Sequence, residues 1–120
     1  MAIVLVQRTV FAMFLLLPSF ASASRPQLDV RVTPRFALAP ADVLIRVVID
    51  PDDDNRQIEV AIESLLYYRS SMIDLEGARA PRVNELWFRQ LRAGDYELRV
   101  LLLDAGGHQR AFVRRFVSLS

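Results

Sequence analysis

Few residues in this chain could do chemistry, and their spacing limits which chemistry to consider. There is one His and no Cys. His108 follows Gly106-Gly107, where a hairpin turn is expected. A hydrolase triad needs a base held by an acid and facing a nucleophile. Ser118 and Ser120 stand at the end of the sequence and are not expected to be held in that way. A glycosidase needs two carboxylates flanking a bond in a cleft. Small sandwiches rarely enclose a cleft, and no carboxylate falls at an inward strand position. The chain is therefore expected not to be an enzyme and to use no cofactor.

Asp50, Asp52, Asp53, Asp54 and Asn55 crowd oxygen-bearing side chains into one short stretch. Ca²⁺ seeks such oxygens, but an EF-hand loop needs Gly at its sixth position and Glu at its twelfth. Counted from Asp50, those positions hold Asn55 and Ala61. Asp and Asn are ordinary turn formers, and Arg56 beside them opposes a bound cation. A solvated turn with no metal site is expected.

Trp87 is a candidate of another kind. In the strand that ends near Leu91, Phe88 and Leu86 are assigned to the core side, so Trp87 faces outward between Glu85 and Arg89. The second strand turns Leu44, Arg46 and Val48 outward, and the first turns Asp29, Arg31 and Thr33. If these strands share a sheet, its outer face carries Trp87, Leu44 and Val48 amid Arg31, Arg46 and Arg89. Trp and Arg are the residues most enriched at interface hot spots. That face is the candidate surface for a protein partner, in a binding or assembly module. The rival expectation is a carbohydrate-binding accessory domain with exposed Tyr67, Tyr68 and Trp87 as stacking platforms.

The elements that must position these residues are strands. Leu28, Val30 and Val32 alternate with polar neighbours, as do Ile58, Val60 and Ile62. Val43, Ile45, Val47 and Ile49 form another inward set, and Tyr96, Leu98, Val100 and Leu102 a fourth. A period of two means one buried and one wet face. Arg35 to Asp42 reads as a connection. Leu66 to Leu75 is a less regular strand with Ile73 and Leu75 inward, although Ser64 to Tyr68 could accept a helical turn. Gly77 to Pro81 is a loop, and Val83 to Gln90 a further strand. The last strand, Gln109 to Leu119, loses its pattern at Arg114-Arg115, where a β-bulge would restore the phase. Seven strands punctuated by turns describe an antiparallel β-sandwich.

Ahead of the strands, residues 1–23 read as a secretory signal peptide. Arg8 precedes an apolar run from Val10 to Leu17, and Ala21-Ser22-Ala23 supplies a cleavage site. The run is too short for a spanning helix, so membrane attachment is expected only through an uncleaved leader. Residues 24–120 form one domain, exported to the periplasm or beyond. Without Arg8 the chain balances 14 Arg against 14 acidic residues, with no Lys. That balance, with no basic block, argues against nucleic acid as a partner.

Val30-Arg-Val-Thr-Pro34, the Ala39-Pro-Ala-Asp-Val43 entry to the second strand, and Leu91 to Val100 together carry a likeness. In the last of these, Leu91, Gly94 and Tyr96 have the spacing of a tyrosine corner. The chain resembles the Ig-like or fibronectin type III-like domains of bacterial exported proteins. Its Ala-Pro entry is also similar to that of PKD-type modules, but their Asp-Phe-Gly-Asp-Gly turn is missing. The resemblance implies an adhesive, scaffolding or accessory domain and brings no catalytic residues with it.

Overall fold

Alternation along each strand decides which side chains meet. A computed structural model describes residues 27–120; the expected leader and its cleavage site lie outside the described residues. Strands β1 (Leu28–Thr33), β3 (Ala41–Ile49) and β6 (Val83–Leu91) make a three-stranded sheet in the order β1-β3-β6. Strands β2 (Phe36–Ala37), β4 (Gln57–Ser64), β5 (Tyr67–Asp74), β7 (Gly94–Leu103) and β8 (Gln109–Leu119) make a five-stranded sheet in the order β2-β8-β7-β4-β5. Val43, Ile45 and Val47 of one sheet and Ile58, Val60, Ile62, Leu98, Val100 and Leu102 of the other are fully buried between them. Each such side chain contributes about 1.5–3 kcal/mol through burial. The protein is an all-β sandwich.

Among the described residues, eight strands replace the seven expected. The additional one, β2, lies inside the expected Arg35 to Asp42 connection and is two residues long. It pairs parallel with β8, Phe36 beside Ser118 and Ala37 beside Leu119, and the Ser120 N–H donates to the Ala37 carbonyl at 2.9 Å. Two residues are too few to show a period, so this crossing between sheets leaves no alternation to read.

Bulges set the phase of the strands that carry the candidate site. Opposite β3, the register jumps from Val43–Phe88 to Ala41–Leu91. Gln90 takes a φ of 57° there, and its N–H donates to Asp42 Oδ1 at 2.8 Å. The extra residue lets Phe88 and Leu91 both point inward, each 1% exposed. In β8 the irregularity falls at Arg110, since Leu102 pairs with Ala111 and Leu103 with Gln109. No bulge occurs at Arg114-Arg115. Arg115 keeps its inward phase at the open margin between the sheets, where its Nε donates to the Val30 carbonyl at 3.2 Å. A wet margin lets a guanidinium occupy a position that a core would forbid.

β5 is also more regular than expected. All eight of its residues pair with β4, and Leu65-Leu66 form a tight turn rather than a helical one. The Gly77 to Pro81 loop contains a short 3₁₀ turn, Gly77–Arg79. Gly77 has φ +61° and its Cα lies against the Asp53 backbone, where a Cβ would come within 3.0 Å of the Asp53 carbonyl oxygen. At the other end of the sandwich the buried Tyr96 hydroxyl donates to the Arg92 carbonyl at 2.7 Å. That is the geometry of a tyrosine corner. Burial pushes the Tyr96 phenol above its ordinary pKa.

Candidate functional site

The outer face of the three-stranded sheet is built by the polar half of each alternation. Leu44 stands opposite Trp87, Arg46 opposite both Arg31 and Glu85, and Val48 opposite Asp29 and Val83. Trp87 is 45% exposed. The Arg89 guanidinium stacks on its indole, 4.7 Å from the ring centroid, a cation–π arrangement. Asp42 pairs with the same guanidinium at 3.3 Å. Arg46 and Glu85 form a cross-strand ion pair at 2.8 Å, while Arg31 reaches Asp29 at 3.9 Å.

The six residues expected on this face are thus all on it, but not as one cluster. The Arg46–Glu85 pair runs between the Leu44–Trp87 pair and the Val48–Val83 pair. Val83, 48% exposed, belongs to the second apolar pair and was missed, because at the start of its strand it has no alternation behind it.

The five-stranded sheet has an outer face that sequence reasoning did not single out. One row across β8, β7, β4 and β5 reads Phe116, Glu97, Glu63, Tyr68, and another reads Phe112, Leu101, Glu59, Met72. Glu97 receives Arg99 at 2.8 Å and Arg114 at 2.7 Å, and Arg99 also reaches Glu63 at 3.1 Å. Aromatic side chains flank a shared network of charges. Placing the last strand's bulge at Arg114-Arg115 hid this face, because it disturbed the alternation that turns Phe112 and Phe116 outward together.

The aromatic platform imagined for carbohydrate is not assembled. Tyr67 turns inward and meets Tyr96 edge-on, centroids 5.9 Å apart. Tyr68 lies on the outer face of the five-stranded sheet and Trp87 on that of the other.

The aspartate-rich turn has become a structural knot. Asn55 is fully buried and donates to the Asp50 carbonyl at 2.9 Å. Its side-chain oxygen accepts from Arg110, whose guanidinium also reaches Asp52 at 3.4 Å. The Asp54 N–H on its carboxylate, with help from Arg110, holds Asp52 below the usual carboxylate pKa. A guanidinium from β8 thus takes the place beside the carboxylates, where the sequence had pointed to Arg56. Among the described residues no three His, Asp or Glu side chains converge on a point that could hold a metal ion. At the β7–β8 hairpin, Asp104 Oδ1 accepts from the Gly106 and His108 N–H groups at 2.9 and 2.8 Å. The exposed His108 ring lies 3.2 Å from the same oxygen, so the pair closes a turn.

No family model and no curated relative matches the chain. Among solved structures it is similar to the superoxide reductase (neelaredoxin) of Ignicoccus hospitalis, with a TM-score of 0.55, 12% identity and 81% of each chain covered. It is also similar to a family 76 glycoside hydrolase from a bovine Bacteroides thetaiotaomicron strain, with a TM-score of 0.55 and 14% identity. That match covers 79% of this chain and 20% of the hydrolase. At such identity the likeness is one of fold. It corrects the expectation that the chain is not an enzyme, which rested on the lack of a held nucleophile–base set and on the rarity of clefts in small sandwiches. A reductase shares this sandwich over most of its length, so the architecture does not mark a chain as lacking an activity.

Proposed function

We propose that this chain is an exported, Ig-like binding or assembly module that engages a protein partner through the Trp87 face. The observation that carries the reading is Trp87 itself. It is half-exposed, backed by Leu44 and capped by the Arg89 guanidinium. Trp and Arg are enriched among the hot spots that cluster near the centre of protein interfaces. The strand order supports the Ig-like part. The three-stranded sheet takes the places of Ig strands A, B and E, and β4, β7 and β8 those of C, F and G. The leader pattern supports export.

Affinity capture from the cell envelope identifies the partner, and Trp87→Ala then tests the face. Loss of capture by a variant that melts like the wild type is the expected result. Undiminished binding by Trp87→Ala would remove this face from consideration. For export, intact-mass measurement on envelope protein is expected to find Ser24 at the N-terminus, and recovery of Met1 would count against cleavage.

A further inference from the structure

Among the described residues the five-stranded sheet ends at β5, which has β4 on one side and no strand on the other. Eight consecutive residues of β5 pair with β4 without a shift of register. Proteins usually make an edge strand unfit for further pairing by shortness, Pro, bulges or charge. The other edge of this sheet obeys that rule, since β2 has two residues. β5 does not: it has no Pro and no bulge, and its charged side chains are Arg69 and the terminal Asp74.

The direction of its backbone groups is settled one residue beyond the strand. Leu75 N–H donates to the Arg56 carbonyl at 2.8 Å, continuing the β4–β5 ladder. Alternate residues of an antiparallel strand turn their N–H and C=O groups to opposite sides. Odd-numbered residues of β5 therefore bond β4, while Tyr68, Ser70 and Met72 hold theirs toward the open edge.

We propose that β5 pairs antiparallel with β5 of a second copy of this chain, about a two-fold axis through Ser70, joining the two five-stranded sheets into one. Opposed residues in such a pair share a face. Tyr68 then meets Met72 of the second copy, and Met72 its Tyr68, giving two aromatic–sulfur contacts. These side chains are 59% and 50% exposed in the single chain. On the inner side Tyr67 meets Ile73, and Arg69 meets Ser71, so no charge directly opposes a like charge. Moving the axis to Ser71 sets Tyr68 against Asp74 and Arg69 against Ile73, and the Tyr68–Met72 and Tyr67–Ile73 matches are lost. The strand is its own complement, which selects a second copy over an unrelated strand. Edge pairing buries less than a standard interface of roughly 1,600 Å², so the association is weak and depends on concentration. It lies on the sheet opposite Trp87 and stands independently of the partner face.

The chain has no Cys, which permits a clean test on the protein as cells yield it. Ser70→Cys places the two sulfurs across the axis, on Cα atoms about 5.5 Å apart, within disulfide reach. Mild oxidation is expected to convert Ser70→Cys into a covalent dimer and to leave Met72→Cys monomeric. In sedimentation the wild-type mass is expected to rise toward twice the monomer value with concentration. Ser70→Pro is expected to abolish that rise, because its lost N–H faces the open edge and is not needed by the single chain. Ser70→Lys is expected to do the same by opposing like charges, which covers the case in which the Pro variant fails to fold. Trp87→Ala is expected to keep it. A wild-type mass independent of concentration, or equal cross-linking of the Ser70→Cys and Met72→Cys variants, would overturn the proposal.

Discussion

The two outer faces of this sandwich use the same ingredients, aromatic rings and Arg, in opposite ways. On the three-stranded sheet each Arg beside the apolar residues is tied to one carboxylate, Arg46 to Glu85 and Arg89 to Asp42. Trp87 is left open with a stacked cation. On the five-stranded sheet Glu97 serves two guanidinium groups and Arg99 serves two carboxylates, and the rings stand at the margins. A partner that settles over the centre of that second face must strip water from a four-charge network. A partner over Leu44 and Trp87 meets apolar surface with one cation already resting on an indole. Desolvating charge is costly and desolvating apolar surface is favourable. Exposed aromatic area by itself therefore does not choose the binding face; the placement of charge does.

The largest effect that could break this comparison is on stability. Phe88→Ala empties a buried site and should cost about 3–5 kcal/mol in denaturant unfolding. Trp87→Ala, the adjacent residue on the opposite face, should cost less than about 1 kcal/mol. The reverse order would show that β6 lies in the other phase and that the proposed face does not exist.

Next in size is affinity. Trp87→Ala should lose about 2 kcal/mol or more of partner binding, on the order of thirtyfold. Phe116→Ala on the other face should change binding by less than about 0.5 kcal/mol, as surface substitutions away from an interface do. A calorimetric titration of both variants against the captured partner would reverse the assignment if Phe116 proved the sensitive one.

The ion pairs give a smaller contrast. Glu97→Gln breaks two contacts of a network and should cost about 1 kcal/mol, whereas Glu85→Gln breaks one exposed pair and should cost no more than about 0.5 kcal/mol. Equal costs in thermal unfolding would erase the distinction between network and pair.

The smallest effect lies in acid, at a turn outside both faces. The His108 N–H, and after it the Gly106 N–H and the His108 ring, hold Asp104 below the ordinary Asp value of 3.8. A carboxylate with a lowered folded pKa adds stability above its unfolded value and loses it as pH falls through the folded one. Stability measured below about pH 4 should thus fall less steeply for Asp104→Asn than for the wild type. An unchanged slope would mean that the hairpin bonds do not survive in solution.

Much of this was legible in the sequence. Alternation assigned the inward sets of β1, β3, β4 and β7, because a sheet with one dry face imposes a period of two on every strand it contains. The expected outward Trp87 and inward Phe88 are both found, but they agree with the inward Leu91 only through the bulge at Gln90, which alternation does not reveal; the spacing from Leu91 to Tyr96 located the corner. What stayed hidden is what one strand cannot say about another. The break at Arg114-Arg115 looked like a bulge, because Arg115 turns inward at a margin that only the packing of two sheets makes wet. Phe112 and Phe116 became a surface only when β7 laid Leu101 and Glu97 beside them. Arg110 met Asn55 and Asp52 across more than fifty residues, a contact with no local signal. Sequence determined the faces of individual strands because side-chain direction is local. Tertiary structure decided which faces adjoin, where charges pair and which edge stays open, because those depend on neighbours that the chain brings together only by folding.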